Sequence, residues 1–305
     1  MKQNESSITS LVSAFSRAYH SCNDTPKIFD DTIAKQLITE QEYLDISQNM
    51  IQGIHFFNQE IAEKYEGNPE EILRWIIQVQ LAPTPLARAA FCENILLHEI
   101  ELGVKQYVIL GAGLDSFSFR HPELVPSLEI FEMDHPATQK FKKQRLQEAG
   151  FSLPRNLHFS AKNFSGAISF QGLKDEGFTT KAKTFFSLLG VSYYLTKDEL
   201  SSLLKHLFSE LPPGSSIVFD YADERLFAEK GRSNRVENMI KMAFAGGEPM
   251  KSCYAYQEIE KLLEDSGLLI YEHVTPTMIQ ERYFQKRTDY LSAFETIHFI
   301  HAVKK

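Results

Sequence analysis

Apolar and polar residues change their period near residue 104. Before that point the apolar positions recur with helical spacing. Between Ile8 and His20 they fall at Leu11, Val12, Phe15, Ala18 and Tyr19, one face of an amphipathic helix. Asn23-Asp24-Thr25-Pro26 interrupts the pattern, and the same spacing predicts helices over 33–44 and 51–65. Asn68-Pro69-Glu70-Glu71 has the form of an N-cap followed by proline at the first helical position. It opens a helix predicted to run to Gln80. Pro83-Thr84-Pro85 is read as a break, with a helix resuming over 86–102.

After residue 104 short apolar runs alternate with helical stretches. Strands are predicted over 106–110, 128–133, 157–160, 184–189, 216–221, 268–274 and 297–303. Helices are predicted over 136–149, 197–211 and 256–266. Apolar strands separated by helices argue for a mainly parallel sheet covered on both faces. Residues 275–296 have room for only a short helix, so the final strand pairing is expected to be antiparallel. The chain therefore divides into an N-terminal helical cap, 1–100, and an α/β core, 101–305. A long excursion over 223–254, containing Gly246-Gly247-Glu248-Pro249, follows the fifth strand. Excursions at the carboxyl end of a parallel sheet often cover a ligand.

Candidate chemistry begins at the first strand. Val108-Ile109-Leu110 runs into Gly111-Ala112-Gly113-Leu114-Asp115-Ser116, a turn with two glycines one residue apart. Glycine lets the backbone turn tightly and lets a ligand approach where a Cβ would stand. The second strand ends in Asp134, placed to accept hydrogen bonds from ribose hydroxyls. Glu132 precedes it by two and is expected on the same sheet face, sharing the ribose or orienting Asp134. A dinucleotide fold usually carries a third glycine where this chain has Ser116, and Asp115 would repel a pyrophosphate. A ribose-bearing cation without phosphate, S-adenosylmethionine, fits this loop better than a nicotinamide dinucleotide.

Composition narrows the classes. The chain has 305 residues, 43% of them hydrophobic, and a formal net charge of −8. Its basic residues are dispersed among apolar ones, which argues against a nucleic-acid partner. The three cysteines, Cys22, Cys92 and Cys253, have neither disulfide nor metal-ligand spacing, so no metal is expected and a reducing cytoplasm fits. No segment has the apolar length of a membrane span, and no signal peptide is expected at the N-terminus.

These blocks resemble a known group. "QYVILGAGLDSFSFR", "FEMDHPATQKFKKQRL", "FFSLLGVSYYLT", "PPGSSIVFDY" and "GEPMKSCYAYQEIEKLLEDSGL" are similar to the leucine carboxyl methyltransferase superfamily. The nearest branch is the bacterial polyketide-type O-methyltransferases, of the tetracenomycin carboxyl methyltransferase kind. "SAFSRAYHSCNDTPKIFDDTIAKQLI" resembles that branch's N-terminal segment. The resemblance implies a class I, Rossmann-like methyltransferase fold with a mainly parallel seven-stranded sheet. It also implies S-adenosylmethionine as donor and a small-molecule acceptor oxygen, on a carboxylate or a hydroxyl.

It further implies roles for single residues. Arg88 would pair with the cofactor's carboxylate, Gly111, Ala112 and Gly113 would form the cofactor loop, and Asp134 would hold the ribose. Asn163 and Phe164 stand where relatives carry an aspartate and an apolar residue near the adenine. Gly190 fits a close backbone approach. Leu189 replaces a glutamate that meets the cofactor's amino group in relatives, so a backbone carbonyl near Gly111 or Leu189 would have to serve. Tyr193 and Tyr194 are expected to line the acceptor side.

No catalytic base is assigned. His121 and His135 follow the first two strands and lie nearest the expected pocket, although either residue is more often a cap or surface histidine. Two alternatives stay open: a non-catalytic binder of the cofactor and a nicotinamide-dependent oxidoreductase. The N-terminal helices and the 223–254 excursion are expected to close over the site, hinged at Gly231, Gly246 and Gly247. Phe15, Tyr19, Phe227, Met242 and Phe244 are expected to wall it.

Overall fold

A computed structural model describes residues 7–162 and 170–305. Asn163 and Phe164 lie outside the described residues. The seven strands are β1 (Gln106–Leu110), β2 (Glu129–Asp134), β3 (Leu157–Ala161), β4 (Thr184–Leu188), β5 (Ser216–Ala222), β6 (Leu268–Val274) and β7 (Ile297–Lys304). They form one sheet in the order β3-β2-β1-β4-β5-β7-β6. Val108 lies opposite Phe131 on one side and Phe186 on the other, both in parallel register. β7 runs antiparallel to both β5 and β6, as the short 275–296 connection predicts.

Strand alternation sorts the core. Tyr107 and Ile109 of β1 join Phe185 and Phe299 on one face. Val108 and Leu110 join Phe131, Phe186 and Phe219 on the other. The Lys197–Ser209 and Tyr256–Glu264 helices cover the second face, through residues such as Leu204 and Leu263.

The helical third differs from the expectation in its boundaries. The helix predicted over 33–44 divides into a 3₁₀ turn, Ala34–Leu37, and a new helix, Glu40–Gln52. Thr39 and Glu42 form a capping box that restarts the chain there. Gly53 and the N-cap Asn58 split the 51–65 stretch into shorter helices. The Pro69–Ile76 helix passes into a π turn, Ile77–Leu81.

Pro83 does not break the next helix but opens it: one helix spans Pro83–Glu101. Proline is tolerated there because the first helical N–H has no partner to lose. This helix packs against β4 and β5. Phe15 and Trp75 of the helical third share one apolar cluster with Leu86, Phe91, Phe185 and Phe299. Among the described residues no helix is long and apolar enough to cross a membrane.

Neighbouring strands β1 and β4 are separated in sequence by β2 and β3, so the chain reverses its direction of travel across the sheet between them. Loops leaving adjacent carboxyl ends in opposite directions open a crevice at such a switch point.

Candidate active site

A cavity of about 660 Å³ occupies that crevice. Its floor is the turn after β1. Gly111 and Gly113 have φ of 76° and 52°, the left-handed region that glycine adopts at least cost. A Cβ on Gly111 would stand 2.6 Å from Cγ2 of Val191. The Gly111 and Ala112 N–H groups both donate to the Met133 carbonyl, at 2.9 and 3.1 Å, locking the turn to β2. Asp134 accepts from the Gly113 N–H at 2.5 Å through Oδ2 and from the His135 N–H at 2.6 Å through Oδ1. Burial pushes its carboxyl above the usual range while those two bonds oppose the shift. The side chain is thus fixed at the strand end, on the cavity wall.

Arg88 reaches the cavity from the Pro83–Glu101 helix. Its Nη1 donates to Asp220 Oδ2 and to the Tyr193 hydroxyl, both at 3.0 Å. The Asp220 carboxylate beside it raises the guanidinium pKa further, although burial opposes this. Asp220, fully buried on β5, also accepts from the Gly190 N–H at 2.6 Å. Leu189, Gly190, Tyr193 and Tyr194 all line the cavity. The Tyr193 hydroxyl is committed to Arg88, so this ring belongs with the arginine rather than standing free. Burial, reinforced by the charges of Asp220 and Glu248, holds the Tyr194 phenol well above its ordinary pKa.

The helical third is tied onto this floor. Asp31, almost fully buried, accepts from Arg17 Nε at 2.9 Å and from the Ser116 hydroxyl at 2.7 Å. Arg17 Nη2 donates to the Leu114 carbonyl at 2.8 Å. The space beside Gly113 that a Cβ would fill is bounded by Ser10, 3.1 Å away. From the other side, the loop after the Arg235–Ala245 helix brings in Glu248. Its Oε2 accepts from the Thr9 hydroxyl at 2.6 Å. The Lys251 N–H anchors that loop to the Tyr193 carbonyl at 2.7 Å.

The wall's charge follows from these pairings. Arg17, Arg88 and Arg120 are each matched by an acid: Asp31 at 2.9 Å, Asp220 at 3.0 Å and Glu93 at 2.5 Å. Asp115, Asp134 and Glu248 line the cavity without an ion pair among the described residues. Asp115 Oδ1 accepts from the Phe117 N–H at 2.8 Å, at the start of the single-turn Phe117–Arg120 helix. A diphosphate would meet arginines already paired with acids and a Phe117 N–H already taken by Asp115. A cationic ligand carrying a ribose and one carboxylate meets acids along the wall, Asp134 at the strand end and a guanidinium at the far side. The residues present fit that group.

Several expectations are corrected. Glu132 does not reach the cavity. It is buried in an ion pair with Lys142 Nζ at 2.5 Å, and burial pushes its carboxyl up to about 7. Asp134 ends the strand and turns outward, whereas Glu132 sits under the Pro136–Glu148 helix that carries Lys142. His121 does not itself line the cavity but bridges Glu93, which does, at 3.0 Å and Glu123 at 2.8 Å. His135 does line the cavity as expected, and its Nδ1 accepts from the Ala137 N–H at 3.3 Å, the capping role that the sequence analysis gave as the commoner one. Phe15 packs against Tyr43 inside the core with the two rings tilted by 52°, and Phe227 and Phe244 are exposed and do not line the cavity. Of the expected wall residues, Met242 does line it.

Two residues that the sequence analysis did not single out are central, Asp31 and Asp220. Asp220 carried a readable signal. It is an acid inside the apolar run Ile217-Val218-Phe219, and a charged side chain is almost never fully buried unless paired.

Comparison with known proteins places this arrangement. The family model described as "Leucine carboxyl methyltransferase" matches residues 10–208. A Bacillus subtilis (strain 168) protein carrying the name S-adenosyl-L-methionine-dependent methyltransferase YktD is 65% identical over 305 residues, covering 100% of both chains. A Mycobacterium avium (strain 104) protein with the same activity in its name is 28% identical over 171 residues, 54% of this chain and 55% of its own. The crystal structure of a DUF574 family protein from Streptomyces avermitilis superposes with a TM-score of 0.58 at 12% identity. It covers 96% of this chain and 97% of that one, a likeness of fold. The chain belongs to the leucine carboxyl methyltransferase family and is an S-adenosylmethionine-dependent methyltransferase.

Proposed function

We propose that this enzyme methylates an oxygen, on a carboxylate or a hydroxyl, of a small organic molecule. The observation that carries the reading is the cavity itself. Its volume, about 660 Å³, lies in the range of small-ligand pockets. Beyond the polar floor its wall is apolar and adaptable, with Leu81, Pro85, Met239, Met242 and Phe294. Thr9 and Glu248 join the two elements that cover it. A small acceptor fits such a covered space better than a polymer does.

When bound, S-adenosylmethionine would supply an electrophilic sulfonium methyl to the acceptor oxygen, its sulfur leaving as a neutral thioether. The chain's own residues orient and desolvate. Asp134 and the glycine turn would hold the ribose, Arg88 the carboxylate, and the adaptable wall would align the acceptor while excluding water. His135 Nδ1 is occupied by the Ala137 N–H, at 3.3 Å. A carboxylate acceptor, ionised at neutral pH, needs no base.

The test is transfer of labelled methyl from S-adenosylmethionine to a panel of small aromatic and aliphatic acids and phenols. Alkaline hydrolysis of the product releases methanol from an ester but not from an ether, separating the two oxygen classes. Transfer only to protein or nucleic-acid acceptors would overturn the reading.

A further inference from the structure

We infer that Asp220 is a positioning residue for the cofactor's amino-acid end, acting through Arg88. Asp220 is fully buried and does not line the cavity, so it touches no ligand. Its two oxygens are divided. Oδ1 takes the Gly190 N–H at 2.6 Å, and Oδ2 takes Arg88 Nη1 at 3.0 Å with the Tyr193 hydroxyl at 3.4 Å. The carboxylate therefore links the backbone after β4 to the guanidinium. Gly190 completes the arrangement. Its φ is 72°, and a Cβ there would stand 2.5 Å from both terminal nitrogens of Arg88.

Two consequences follow from this geometry. The first is orientation. Among the described residues both hydrogen bonds of Arg88 run from Nη1, so the rest of the planar fork is offered to the cavity in one fixed attitude. A long flexible side chain held this way loses less freedom when it takes up a carboxylate. The second is charge. Paired with a buried carboxylate, Arg88 presents fork geometry with little net charge. It favours a single carboxylate whose own molecule also carries cations, over a multiply charged anion such as a phosphate.

The inference rests on the reading that Arg88 holds the cofactor carboxylate, and the experiment separates the two. Dissociation constants are measured by calorimetry for S-adenosylhomocysteine and for methylthioadenosine, which lacks the amino-acid end. The proteins are wild type, Arg88→Lys, Asp220→Asn and Tyr193→Phe, with folding checked by thermal unfolding. Asp220→Asn should weaken S-adenosylhomocysteine about tenfold, the scale of one hydrogen bond to a charged group, and leave methylthioadenosine unchanged. Tyr193→Phe should give the same selective loss, a few-fold, and it decides the matter if Asp220→Asn does not fold.

The KM for S-adenosylmethionine should rise in parallel with the loss of S-adenosylhomocysteine affinity, with kcat changing less. If Arg88→Lys lowers both ligands equally, the carboxylate reading of Arg88 fails. If Arg88→Lys is selective but Asp220→Asn and Tyr193→Phe are not, the Arg88 reading stands and the positioning role of Asp220 is overturned.

Discussion

The guanidinium of Arg88 occupies the space where a Cβ on Gly190 would stand. Gly190 was expected to fit a close backbone approach, and the group that approaches it here is a side chain of the protein itself, on the wall of the cavity. Gly190→Ala should therefore act through Arg88. Its left-handed φ costs about 1 kcal/mol for alanine, and the Cβ would push the guanidinium off Asp220. The expected outcome is a lower unfolding temperature together with at least a tenfold loss of S-adenosylhomocysteine affinity, measured by calorimetry on the folded fraction. Unchanged affinity would show that Arg88 need not sit where the structure has it.

Asp134 does two things at once, facing the cavity and pinning the Gly113 and His135 N–H groups. Asp134→Ala should remove about 1.5–3 kcal/mol of cofactor binding per lost bond to a charged acceptor. It should also loosen the glycine turn, visible as faster hydrogen exchange at Gly113. Methylthioadenosine, which keeps the ribose, should lose as much affinity as S-adenosylhomocysteine does. That is the opposite of the selectivity expected at Asp220.

Glu132 should behave differently from Asp134 although only Met133 separates them. Lys142→Met would leave a buried carboxylate without its cation. Breaking a buried pair in this way typically costs about 3–5 kcal/mol, and a urea midpoint measures it. Cofactor affinity of the folded protein should change little. A selective loss of affinity with stability intact would return Glu132 to the site.

Acid should destabilise the fold through two histidines held neutral by burial. His301 on β7 and His273 on β6 are both pushed down to about 4 from an ordinary 6.5. A folded-state pKa below the unfolded one means that stability is fully present above 6.5 and is lost as pH falls from there toward 4. Unfolding temperature should drop over that window. Replacing His301 with Gln should flatten the drop. A slope identical to wild type would assign the acid sensitivity elsewhere.

The Thr9–Glu248 bond joins the first helix to the loop that returns from the Arg235–Ala245 helix. Thr9→Val removes the donor and keeps the shape. Release of S-adenosylhomocysteine should quicken by about tenfold or more in stopped-flow experiments, as expected for a bond to a charged group worth about 1.5–3 kcal/mol. Exchange protection by the ligand should weaken in both segments. If release is unaffected, the two elements do not cooperate as a cover.

Local chemistry was enough for much of this protein. The strand periods, the two-glycine turn, the acid at the end of β2 and the short final connection are patterns within a few residues. Backbone sterics and side-chain alternation act at that range. The sheet and its antiparallel last pairing were legible for this reason, as was a ribose-bearing cofactor in preference to a diphosphate.

The boundaries of the helical third were less legible. Thr39 and Pro83 carry signals whose meaning depends on whether the chain is starting or stopping at that point. What only the tertiary structure decided was pairing across the chain. Arg88 and Asp220 are 132 residues apart and Thr9 and Glu248 are 239 apart, while Glu132 and Asp134 share a strand and were separated by what packs over them. A charged side chain shows its type in the sequence. Whether it meets a ligand, a partner or a buried counter-ion depends on the desolvation and geometry that folding alone imposes.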